Sequence, residues 1–163
     1  MDGIHLCLLS KNNMMKEQKT IPQEQQSYPP LRSLADAVRY FIQSMDIDML
    51  YTLLDDKITY QDFHRNEFLL KLERVMEDFK SNGDTFLNAV EGRCGDCYKE
   101  KSGYLFIGNN SKRYMNLLFD LDKGEITDLF ECSNFKTQFK FRYLTKRVYI
   151  DPNNYNPFNR NNL

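Results

Sequence analysis

An α+β fold, with N-terminal helices followed by a curved antiparallel sheet wrapped on a long helix, is predicted by three observations. Apolar residues recur at helical spacing over 31–45 and again over 68–79. From residue 85 onward, four runs rich in β-branched and aromatic residues are separated by turn residues. The 163 residues suit one domain that buries roughly 70% of the surface its unfolded chain exposes.

The first helix follows from Leu31, Leu34, Val38, Phe41, Ile42 and Met45 falling on one stripe, with Ser33 and Asp36 spaced as in a capping box. A second, shorter helix is expected behind Asp46 or Asp48 as cap, carrying Leu50, Leu53 and Leu54 up to the Asp55-Asp56 turn. Residues 58–63 read as a strand, Ile58 and Tyr60 on one face and Thr59, Gln61 and Phe63 on the other. The long helix carries Phe68, Leu69, Leu72, Val75, Met76 and Phe79; Asn66 is placed to cap it and Asn82-Gly83 to stop it. Strands over 85–94, 104–107, 114–121 and 125–132 form a meander whose last hairpin turns at Asp122-Lys123-Gly124. Such a sheet needs a covered face, and the helices are the large apolar surfaces that can cover it. Residues 135–150 add another strand or a helix.

The domain is expected to span 31–150. Residues 1–30 are expected to be a flexible leader, polar and Gln-rich from Ser10 to Tyr28-Pro29-Pro30, a stretch with too little apolar material to order itself by burial. Residues 151–163 form a loose Asn-rich tail.

Net charge is -1, unevenly spread. Lys136, Lys140, Arg142, Lys146, Arg147 and Arg160 face the single acid Asp151 in residues 133–163, which places +5 there and -6 in the remainder. A charge near zero overall gives no general reason to expect nucleic acid. No run approaches the ~18 apolar residues of a membrane-spanning helix, and residues 4–9 are too short for a secretory core region. The expectation is a cytoplasmic chain whose four cysteines are thiols or ligands.

The order helix, helix, strand, helix, curled sheet over 31–132 resembles the nuclear transport factor 2-like superfamily. That resemblance implies a bent sheet making a cone around the long helix, with a pocket at its open end. It also implies, for the enzymes of that superfamily, Asp and His side chains in the pocket.

Three constellations carry candidate chemistry. Cys94-Gly95-Asp96-Cys97 brings two thiolates within reach of one tetrahedral metal, and Cys132 is the natural third ligand. Zinc is the cofactor implied, with His64, Cys7 or water as fourth ligand; the competing readings are buried structural thiols or a disulfide. A thioredoxin-like role is discounted because a charged loop, not a helix, follows Cys97. Asp62 and His64, two apart on a continuing strand, form a candidate acid–base pair with Tyr60 lining the cavity, against the reading that both lie in a solvated loop. Basic and aromatic residues interleave over 135–149. This suits single-strand binding, but a strand with Phe139, Phe141 and Tyr143 inward and Lys140 and Arg142 outward explains it as well.

The function expected is non-catalytic binding of a protein partner or small ligand, through the cone pocket or a sheet face, with a homodimer among the assemblies this admits. Small toxin-neutralising proteins share this size and charge profile. The alternatives are a small lyase, isomerase or hydrolase using Asp62, His64 and Tyr60, and a zinc-stabilised interaction domain.

Overall fold

A computed structural model describes residues 30–95 and 101–153. Residues 1–29 of the expected leader, residues 154–163 of the expected tail and residues 96–100, with Cys97, lie outside the described residues. The fold is α+β: α1 (Leu34–Gln43), α2 (Ile47–Leu53), β1 (Thr59–Tyr60), β2 (Phe63–His64), α3 (Arg65–Ser81), β3 (Leu87–Cys94), β4 (Ser102–Gly108), β5 (Tyr114–Asp122), β6 (Glu125–Phe130) and β7 (Phe135–Thr137). No helix among the described residues is long and apolar enough to cross a membrane.

Local signals set the helix limits. Ser33 Oγ accepts from Asp36 N–H at 3.1 Å to start α1, and Asp46 Oδ1 does the same for Met49 N–H to start α2. At α3 the cap position falls on His64, with no side-chain cap bond, and Asn66 lies inside the helix and not at its cap. The helix ends at Asn82, and Gly83 supplies the left-handed residue beyond it (φ +83°).

The expected strand over 58–63 is instead a tight hairpin. Tyr60 pairs with Phe63 across Gln61 and Asp62, both at positive φ (50° and 67°), the pattern of a type I′ turn. Alternation read across that turn misassigned the faces, because the chain reverses in the middle of the run.

Five strands, one more than the meander predicted, form an open antiparallel sheet in the order β6-β5-β4-β3-β7. Lys123 and Gly124, both at positive φ, make the two-residue turn between β5 and β6. One face of the sheet presents Leu87, Phe106, Met115, Leu117, Phe119 and Leu129 to the buried stripe of all three helices, which includes Val38, Ile42, Leu50, Phe68, Leu72 and Phe79.

The strand order dictates curvature. β6 and β7 occupy opposite edges, yet Phe130 and Phe135 are only five residues apart. Five residues reach at most about 18 Å, whereas four strand spacings across a flat sheet need about 19 Å before any offset along the strands. The sheet must therefore curl its edges toward each other on the face the chain crosses, which is the face opposite the helices. Gly92 and Gly103 are directly paired there. A Cβ at Gly103 would collide with the Leu117 carbonyl and Leu118 Cα, and one at Gly92 with the Phe135 ring. Glycine is what lets the strands close in at this corner.

Candidate functional site

The crossing after β6 carries Glu131 and Cys132 onto the second face of the sheet, and residues 133–151 run over it. Their expected regular element is reduced to the three residues of β7, because β7 pairs only with Gly92, Arg93 and Cys94 before the ladder stops. Beyond it Phe139 is 66% and Tyr143 54% exposed, so the inward alternation expected for these aromatics is not found. The segment regains the sheet at Arg147, which bridges to Tyr114, and Val148 N–H donates to the Tyr114 carbonyl at 2.8 Å.

Buried Asn116, Gln61 and Glu131, with half-buried Arg147, hold this crossing. Asn116 Oδ1 accepts from Cys132 N–H (2.9 Å), and Arg147 Nη2 donates to the Cys132 carbonyl (2.9 Å). Glu131, 3% exposed, accepts at Oε2 from Gln61 Nε2 and from Asp151 N–H, while Gln61 Oε1 accepts from Glu131 N–H. Burial pushes the Glu131 carboxyl above its ordinary range, against the lowering effect of these donors and of nearby Arg147. Asp128 is raised for the same reason while accepting from Gln61 N–H at 2.8 Å. Both carboxylates thus fasten the Tyr60–Phe63 turn to the end of β6.

The candidate acid–base residues do not converge among the described residues. Asp62 and His64 are exposed, the first at the tip of the hairpin and the second at its exit into α3. Tyr60 is fully buried against Phe68, its hydroxyl donates to the Asp55 carbonyl, and burial pushes its pKa up to about 12. An acid–base pair that acts in a shared pocket needs both groups directed into it, and the type I′ turn removes the common strand face on which that pairing rested.

Cys94 and Cys132 do come together. They are each 7% exposed, with Sγ atoms 3.2 Å apart, in a small apolar cluster with Leu118, Phe130 and Phe135. Among the described residues no group of three His, Cys, Asp or Glu side chains is placed to hold a metal. The sequence placed both cysteines at strand ends; Cys94 does end β3, but β6 stops at Phe130 and Cys132 lies in the crossing. The sequence could not show that they meet through the β6–β7 crossing, since β3 and β6 are not neighbours.

One hollow lies where β7 leaves β3. It has a volume of about 710 Å³ and is lined by Val90, Glu91, Gly92, Arg93, Ser102, Lys136, Thr137, Gln138 and Phe139. Of the eight residues of β3, only Gly92–Cys94 pair with β7, so the edge from Leu87 to Glu91 has no strand partner on that side among the described residues. A second hollow of about 280 Å³ lies under the crossing segment, between Leu105, Asn116, Phe135 and Phe141. By contrast, Leu69, Leu72, Met76 and Phe79 fill the α3 interface, where the pocket of a cone was expected.

No protein-family model, curated protein or solved structure matches this chain.

Proposed function

We propose that the chain is a non-catalytic binding domain that takes an extended segment of a protein partner as an added strand on the open edge of β3. The observation that carries this is the edge of β3 ahead of Gly92, which among the described residues has no strand partner on that side and whose Val90 and Glu91 line the 710 Å³ cleft; at its far end the Leu87 carbonyl accepts from Gln43 Nε2. A strand edge offers a row of main-chain donors and acceptors, and pockets beside it select alternate side chains of the incoming segment. Phe139, largely exposed at the cleft wall, is the natural anchor, as buried aromatics dominate the energetics of such contacts.

Charge narrows the partner. Arg93 and Lys136 outnumber Glu91 in the lining, and Lys140, Arg142 and Lys146 follow in the same segment. An acidic segment with an apolar residue for the Phe139 wall fits best.

Peptides selected from a random displayed library against the full chain test this. The expected binders are acidic and extended, and they slow amide hydrogen exchange within Leu87–Glu91. Phe139→Ala should weaken them at least tenfold while changing stability by no more than about 0.5 kcal/mol, since the ring is not in the core. Binders that are indifferent to Phe139→Ala and protect other amides would overturn the proposal. Concentration-dependent dimerisation that protects the same amides would reassign the edge to a second copy of the chain.

A further inference from the structure

Cys94 and Cys132 are placed for chemistry that edge binding does not use. The backbone fixes each of them on two sides. Cys94 N–H donates to the Lys101 carbonyl (3.1 Å), and Gly95 N–H to the Asn134 carbonyl (2.8 Å), which locks the end of β3 between β4 and the approach to β7. Cys132 is held by Asn116 at its N–H and by Arg147 at its carbonyl. The sheet and its crossing therefore hold the two cysteine backbones side by side, with the sulfurs 3.2 Å apart.

We propose that this pair is a redox modification site, a dithiol that a peroxide converts to an intramolecular disulfide tying the crossing to the end of β3. A disulfide needs the sulfurs at about 2.05 Å, an approach of roughly 1.2 Å, which rotation of two short side chains can supply. One thiolate attacks a peroxide oxygen, the O–O bond breaks, and a sulfenic acid and hydroxide form. The second thiol attacks the sulfenic sulfur, the S–S bond forms and water leaves. In sum, two thiols and one hydrogen peroxide give one disulfide and two waters. A small-molecule dithiol reverses the step by exchange and is itself oxidised to a cyclic disulfide. Both sulfurs sit in an apolar cluster with 7% exposure, so a small oxidant is the appropriate class.

The test treats the full-length chain with hydrogen peroxide, alkylates the remaining thiols and maps disulfides by mass spectrometry of non-reduced digests. The expected result is a dominant Cys94–Cys132 link with Cys7 and Cys97 alkylated, and a melting temperature raised by about 5 °C or more. A dithiol should reverse both effects. Cys97→Ser should keep the link, and Cys132→Ser should lose it together with the thermal shift. Dominant links through Cys97, links between chains, or sulfinic acids at unlinked cysteines would overturn the proposal, as would loss of the Cys94–Cys132 link in Cys97→Ser.

Discussion

On one face of the sheet, helical stripes lay Ile42, Leu72, Met76 and Phe79 against Phe106, Met115 and Leu117 in one continuous apolar layer. On the other, an irregular segment is held by Asn116, Gln61, Glu131 and Arg147 over a small apolar cluster of Cys94, Leu118, Cys132 and their two phenylalanine neighbours. The first face draws its stability from area, which is non-directional and tolerant. The second draws on individual hydrogen bonds, each costly to leave unmade once buried.

Truncating one buried position on each face puts that contrast to its strongest test. Phe106→Ala on the helical face should cost about 3–5 kcal/mol, because its ring is fully buried in a layer with little room to collapse. Leu118→Ala on the crossing face should sit near the lower end of the 2–5 kcal/mol range, since its smaller cluster can relax. Denaturant midpoints of the two variants measure this, and equal losses would erase the distinction. Gly103→Ala comes next, at roughly 1–3 kcal/mol, because the added methyl meets the backbone of Leu117 and Leu118 and the corner must open. That variant should also disturb β6 and β7 amides more than those of the helices.

The smallest effect is electrostatic. The unfolded Glu131 ionises around its ordinary 4.5, and the folded carboxyl holds its proton to higher pH. The folded state then binds more protons through that window, so its contribution to stability is greatest below the unfolded pKa and declines as pH rises toward the folded one. Asp128 acts in the same direction. Glu131→Gln keeps an acceptor for Gln61 and Asp151, so it should flatten the fall in urea midpoint between acidic and neutral pH while shifting stability at neutral pH by about 1 kcal/mol or less. An unchanged pH slope would remove Glu131 from this role.

The same contrast explains what could be read from the sequence. Periodicity located α1, α3 and the meander, and Ser33, Asp46, Gly83 and Lys123-Gly124 marked their limits, because stripes, caps and two-residue turns are local. The hairpin at Tyr60–Phe63 was missed because Gln61 and Asp62 are not the residues that ordinarily announce a type I′ turn. They hold positive φ where Asp128 and Glu131 bind the turn from 67 and 70 residues away. Nothing local shows that β7 abandons its ladder after Thr137, so the alternation of Phe139 and Tyr143 pointed inward when the structure turns them out. The open edge of β3 was hidden for the same reason, since an edge is defined by which strand stops beside it.

The four-residue passage from β6 to β7 also imposes an order of assembly. Pairing of Gly92 with Thr137 closes a loop that contains β4, β5 and β6, so that ladder carries the largest closure cost in the sheet and is expected to form after the meander. Made from its N-terminus, the polypeptide completes its helices and four strands first. The β7 stretch then docks as a late latch, and until it does, the margin of β3 beyond the Leu87 carbonyl, which Gln43 Nε2 holds, lacks a strand partner on that side among the described residues.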